Sequence, residues 1–193
     1  MQELKVTDSM KTTHCLFVLI FLVITTGQVY SQKSELQKGK VTFFSEAPLE
    51  NITAITEDVA GIIDISKNQF AFSVKVNTFR FDKSLMQEHF NEKYMESDKY
   101  PKATFTGSLK NFKSNQKGEQ TVLAVGKLTM HGVTREVSIP GKIDMSNRKE
   151  LHIISKFNVR LEDYRIERPK LVWQNLADEV EVSVDFIFSP TNI

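Results

Sequence analysis

Residues Gln69–Gly107 read QFAFSVKVNTFRFDKSLMQEHFNEKYMESDKYPKATFTG. The stretch opens with Phe70, Phe72, Val74 and Val76 alternating against Ala71, Ser73 and Lys75, the two-residue period of a half-buried strand. It then changes to helical spacing. Ser84-Leu-Met-Gln87 has the form of a capping box. Met86, Phe90 and Tyr94 follow at i, i+4 and i+8, leaving Glu88, Asn91, Glu92 and Lys93 to water. The spacing predicts a short helix over about 83–95, ended before Tyr100-Pro101 because the residue preceding a proline is pushed out of helical geometry. Alternation resumes at Ala103, Phe105, Gly107 and Leu109. One short helix is thus inserted between strands.

Outward from this stretch the chain reads as all-β. Upstream, Val41, Phe43 and Ser45 alternate with Thr42 and Phe44 until Ala47-Pro48. Asn51–Asp58 and Val59–Ser66 are the next two strands, with Gly61 a place for a bend. Lys67-Asn68 is a turn in which asparagine tolerates positive φ. Downstream, Lys113–Glu119 is a polar loop, and Thr121–Met130 is a strand with Gly126 where a barrel wall bends. His131-Gly132 fits a two-residue hairpin turn. Val133, Arg135, Val137 and Ile139 form one alternating face, and Leu151, Ile153, Ser155, Phe157 and Val159 another. Val180, Val182, Val184, Phe186 and Phe188 against Glu179, Glu181, Ser183 and Asp185 is the clearest strand. Between the last two strands alternation is lost; Pro169 opposes a continuous central strand there. A turn at Glu162-Asp163 and a helical turn near Val172–Leu176 are expected instead. Eight or nine short strands with turns between them fit a sandwich or a barrel, and closure has the advantage of removing exposed strand edges.

A chain of 193 residues with 25 basic and 24 acidic side chains is one domain plus a targeting segment, with no net field to attract nucleic acid. The first 31 residues read as a secretory signal peptide. Lys11 is followed by the apolar run Cys15–Ile24, too short to span a bilayer comfortably, with a cleavage point near Gln32; an uncleaved anchor is the rival reading. Met10 is an alternative initiator. After cleavage no cysteine remains, since Cys15 is the one cysteine of the chain; disulfides, thiolate chemistry and a lipidated N-terminal cysteine are excluded. About 160 residues suffice for a core without disulfides. Asn51-Ile-Thr53 matches a glycosylation acceptor but reads better as an exposed strand start.

Catalytic motifs are missing: no G-x-S-x-G, no phosphate-binding loop and no dinucleotide fingerprint. His89, His131 and His152 fall on a helix, a turn and a strand, without the spacing of a zinc site. Glu162, Asp163 and Glu167 are interleaved with Arg160, Arg165, Arg168 and Lys170, which suits a salt-bridged surface loop better than acid–base catalysis. The expectation is a protein that is not an enzyme and holds no metal. The apolar faces remain. Ala103 and Gly107 flank Phe105, and Ala124 and Gly126 share one strand face; small residues among aromatic ones leave room for a slender guest. On the residues alone a simply packed core stands slightly ahead of a guest-binding one.

The run His89–Gly107, HFNEKYMESDKYPKATFTG, followed by Gly126–Val137, GKLTMHGVTREV, resembles the YceI-like family of polyisoprenoid-binding proteins. The similarity extends from about Lys40 to Phe188, giving a signal peptide over 1–31, a polar linker over 32–39 and a YceI-like domain over 40–190. NTFRFDKSL before the helix lacks the charged, glycine-containing run more usual in the family. The resemblance implies an antiparallel lipocalin-like β-barrel of about eight strands, periplasmic or secreted, that holds a polyisoprenoid or isoprenoid quinone as carrier or reservoir. On that reading Phe70, Phe72, Val74, Phe105, Leu123, Val125, Phe157, Val182, Val184 and Phe186 line the barrel. His89, Phe90, Tyr94, Tyr164 and Arg168 are candidates for the mouth, where a head group would sit. The ligand is non-covalent, with no other cofactor, no nucleic acid and no stable membrane insertion once the leader is removed; a homodimer stays open. The alternative is a ligand-free structural or interaction barrel of the cell envelope. A weaker one, a hydrolase of lipid-linked substrates, lacks a nucleophile.

Overall fold

The even-numbered apolar residues of the last strand, Val180 to Phe188, all face one interior, and the other alternating runs close around the same space. The computed structural model describes residues 33–46, 50–147, 150–167 and 177–188. The leader, Arg168, Pro169 and the expected turn near Val172–Leu176 lie outside them.

In chain order the strands are β1 (Lys33–Ser45), β2 (Ile52–Thr56), β3 (Val59–Asp64), β4 (Gln69–Lys75), β5 (Arg80–Phe81), β6 (Lys102–Lys110), β7 (Glu119–Met130), β8 (Val133–Asp144), β9 (Leu151–Arg160) and β10 (Glu179–Phe188). All pairings are antiparallel. They run β10-β9-β8-β7-β6-β4-β3-β1, and β10 pairs with β1 to close an eight-stranded barrel. The two short additional strands extend this wall. β2 and β3 meet β1 in one continuous register, Val41↔Thr56 and Glu35↔Ile62, so they are one strand kinked at Glu57-Asp58. The kink lies there rather than at Gly61, whose missing Cβ instead makes room for the Phe72 ring. β4 is likewise broken from β5 by a single turn of 3-10 helix at Val76–Thr78.

The expected linker proves to be barrel wall. Lys33–Gly39 belongs to β1: Ser34 is buried, Leu36 packs on the core, and Gly39 pairs with Phe186. Its alternation is hidden in the sequence by polar residues and by an irregularity between Leu36 and Lys38, which shifts the phase of the strand.

The inserted helix α1 (Ser84–His89) continues over Phe90–Tyr94 as a wider π turn, with Met95 N–H donating to the Phe90 carbonyl. The capping box does not form. Lys83 holds the N-cap position without a side-chain cap, and Gln87 Oε1 accepts from Phe81 N–H at 3.4 Å. At the tight turns the sequence is obeyed: Asn68 has φ 55°, and His131 and Gly132 have φ 50° and 73°, the mirror-image turn that suits a twisted hairpin.

The interior divides into two apolar clusters. Away from the helix, Ile63, Ile65, Phe112, Ile143, Met145, Leu151 and Phe188 pack against one another, all buried. At the helix end lie Phe43, Ile52, Ala54, Val76, Met95, Val159, Leu161, Tyr164, Ile166 and Val180.

Candidate functional site, an apolar cavity below the inserted helix

Between the two clusters the barrel is not filled. A cavity of about 230 Å³ is lined from β4 by Phe70, Phe72 and Val74, from β6 by Ala103, Phe105 and Leu109, and from β7 by Val122, Ala124, Leu128 and Met130. Phe157 and Val159 of β9 and Val180, Val182, Val184 and Phe186 of β10 complete the wall, while Met86, Phe90 and Tyr94 lean over it from the helical segment. The i, i+4, i+8 stripe of the sequence is therefore the helix face turned to the cavity.

Aromatic rings brace the space at both ends. On one side Phe70 stacks on Phe72 with centroids 5.2 Å apart, and Phe105 and Phe186 tilt against that pair at 4.8 and 5.2 Å. On the other, Phe90 gathers Phe43, Phe79 and Phe81 at 5.7, 5.6 and 5.0 Å. Ala103 and Ala124 are the alanines of the lining. Among the described residues of the lining, polar side chains come only from Thr104, Ser155 and Tyr94. Burial raises the pKa of the Tyr94 phenol above its ordinary 10.0. Such a wall offers dispersion and exclusion of water, and almost no hydrogen bonds.

Eight of the ten residues expected to line the barrel do so: Phe70, Phe72, Val74, Phe105, Phe157, Val182, Val184 and Phe186. Leu123 and Val125 do not. The cavity-facing residues of β7 are Val122, Ala124, Leu128 and Met130, so the alternation turns Leu123 and Val125 to the opposite face. Their bulk suggests an inward position, whereas the inward face at this height is the one that carries the alanine and Gly126. Of the mouth candidates, Phe90 and Tyr94 line the cavity. His89 is half-buried beside them but outside the lining, Tyr164 is buried in the helix-end cluster, and Arg168 lies outside the described residues.

His131 does more than turn the chain. Its side chain is 10% exposed; Nδ1–H donates to the Tyr164 carbonyl at 3.1 Å, and Nε2 lies 3.0 Å from Glu96 Oε2. The ring also meets Tyr100 edge-on at 4.6 Å. One imidazole thus ties the β7–β8 hairpin to the end of the helical segment and to the 3-10 turn Leu161–Tyr164. A turn propensity signals the backbone conformation at such a position but not these three long-range partners.

A family model for the YceI-like domain matches residues 30–188. The chain belongs to the YceI-like family. Solved structures agree on the fold at low identity. A polyisoprenoid-binding domain from Saccharophagus degradans implicated in plant cell wall breakdown is 14% identical with a TM-score of 0.70, over 82% of this chain and 98% of that one. Burkholderia cenocepacia BcnA is 15% identical with a TM-score of 0.65, over 77% and 95%. A Campylobacter jejuni YceI protein is 13% identical with a TM-score of 0.57, over 74% and 86%. No curated protein matches the chain. The YceI-like barrel, rather than a sandwich, is therefore the architecture that the alternating runs build.

Proposed function

We propose that this YceI-like protein is an exported, non-catalytic lipid-binding protein that holds the chain of a polyisoprenoid or isoprenoid quinone in its barrel. The observation that carries the proposal is the unfilled cavity between two aromatic clusters, lined almost wholly by hydrocarbon. The related domain from Saccharophagus degradans, described as polyisoprenoid-binding, supports the choice of ligand class. At about 0.8 kcal/mol per CH₂ equivalent, each five-carbon unit contributes at most about 4 kcal/mol on burial, and ordering the chain offsets much of this. Chain length and slenderness then govern affinity more than the head group does. Export rests on the leader over 1–31 and places the protein in the periplasm or outside the cell, as a carrier or reservoir for a ligand that water does not dissolve.

Lipid extraction and mass spectrometry of protein purified from its own host test the ligand. A co-purifying isoprenoid supports the carrier; a barrel that is empty and takes up no added isoprenoid supports the structural alternative. Phe72→Asp and Phe105→Asp are each expected to abolish retention, because a carboxylate in this wall has no partner. Retention unchanged in both would sink this assignment of the wall. N-terminal sequencing of the exported protein checks the leader, with a start near Gln32 expected.

A further inference from the structure

The barrel wall is not sealed evenly. β8 pairs with β9 only at Lys142↔Ile154, Ile143↔Ile153 and Asp144↔His152, although both strands continue well beyond these pairs. The ladder stops at Lys142, two residues from Pro140. The Pro140 carbonyl accepts from Ser155 Oγ at 2.5 Å and so points at β9. In an extended strand a residue's N–H and C=O point the same way, so the donor that proline lacks is the one β9 would have received. Toward the helix end, beside the His131–Tyr164 hydrogen bond of the hairpin turn, Arg135 joins β8 to the segment following β9: its Nε donates to the Asp163 carbonyl at 2.9 Å and its Nη2 lies 3.7 Å from Asp163 Oδ1. Both side chains of this link are about half exposed.

The wall has a second interruption, between β1 and β3, where Leu36, Lys38, Gly39 and Lys40 of β1 pair with β10 but not with β3. That one is plugged. A Cβ on Gly39 would lie 2.7 Å from Leu36 Cδ2 and 2.9 Å from Val59 Cβ. Neither Leu36, Gly39 nor Val59 touches the cavity. At the β8–β9 parting the opposite holds. Ile139, Pro140 and Gly141 on one side and Ser155, Phe157 and Val159 on the other all line the cavity. The cavity reaches the wall where the wall is unpaired.

We propose that the parting between β8 and β9, bounded by the Ser155–Pro140 hydrogen bond and latched by Arg135–Asp163, is the side portal through which an apolar chain enters and leaves the barrel. This rests on the lipid-binding reading above. Parting two strands along a stretch beyond their short ladder sacrifices few backbone hydrogen bonds, whereas opening any fully laddered seam sacrifices many. The latch is an exposed pair of the kind that contributes little to stability, which suits a contact that must open repeatedly.

The test uses diphenylhexatriene, a slender fluorescent hydrocarbon without polar atoms, and its release to phosphatidylcholine vesicles followed by stopped flow. Equilibrium retention is measured first. If the parent protein retains no probe, the lipid-binding reading fails and the portal with it. Given retention, Ser138→Cys is combined with Asn158→Cys in a Cys15→Ser background; both positions are exposed, and the register of Ile143↔Ile153 carried onward sets them opposite each other. Oxidation is expected to slow release about tenfold or more, as locking a gate does, and reductant to restore it. Equal rates before and after oxidation overturn the portal while leaving binding intact. Where the strands stand too far apart for the bridge, beyond about 7 Å between Cα atoms, two single substitutions decide. Arg135→Ala is expected to speed release and Pro140→Val, which restores the N–H, to slow it. Unchanged rates in both overturn the proposal.

Discussion

Ala124 is the residue at which sequence and cavity meet most directly. It faces the cavity while its larger neighbours Leu123 and Val125 do not, so the room for a guest depends on a methyl group. Ala124→Phe is expected to fill that room and weaken binding of an apolar probe by at least about tenfold, or about 1.4 kcal/mol. The same probe should be held normally by Leu123→Thr, whose change falls on the other face. Equal losses in both variants would contradict this phase of β7. The small residues are visible in the sequence, but their face is not fixed there, because on β7 both faces carry half-buried residues and period alone does not say which is inside. On β10 the outer face is mostly acidic, and there the inward set is legible without ambiguity. His131 is a second case. Removing its ring in His131→Ala is expected to lower stability by about 1–3 kcal/mol in urea unfolding, through the loss of hydrogen bonds to Tyr164 and Glu96. His131→Asn, which tolerates the left-handed backbone, separates this loss from any strain in the turn.

Among the elements, the β6–β7 pair shows how closely two strands of the wall approach. Gly107 pairs with Gly126, and a Cβ on either would press against a carbonyl oxygen across the strands, that of Val125 or of Thr106, and lie 2.7 Å from the partner glycine's Cα. The collision is with backbone, which has little room to yield. Gly107→Ala and Gly126→Ala are each expected to destabilise by about 1–3 kcal/mol, the usual range for overpacking, measured by denaturant midpoint; a neutral outcome would show that the strands are free to move apart. Gly126 stands out from its place mid-strand, but its partner is not legible, because pairing across strands leaves no mark in local sequence. The helix is legible for the reverse reason: its determinants, Met86, Phe90 and Tyr94, lie within a few turns of one another. Its capping box does not form: Lys83 rather than Ser84 holds the N-cap, and Gln87 is engaged with Phe81, which pairs with β2. Pro140 carries a readable signal as well. A proline in the middle of a twelve-residue strand marks a place where one neighbour is not hydrogen-bonded, and the β8–β9 ladder ends two residues from it.

For the whole molecule, two packed clusters and a closed strand network must supply stability around a space that neither cluster fills. An occupant of that space binds the folded state alone, so it is expected to raise stability by about 2.7 kcal/mol at a hundredfold excess over its Kd. Stripped and lipid-loaded protein should therefore differ in unfolding midpoint, with the gap growing with ligand concentration. Tyr94 provides an internal check on where the occupant lies. Burial raises its phenol pKa above the ordinary 10.0, so the folded state favours the neutral form. That contribution is present below the ordinary tyrosine pKa and is lost as pH rises through the higher folded value. A hydrocarbon guest beside the ring replaces water and disfavours the phenolate further. Ultraviolet titration of loaded protein is then expected to show one tyrosine ionising later than in stripped protein, and Tyr94→Phe should remove the difference. Identical curves for the two forms, with the unfolding midpoint still raised, would mean that the ligand binds elsewhere than under the helix.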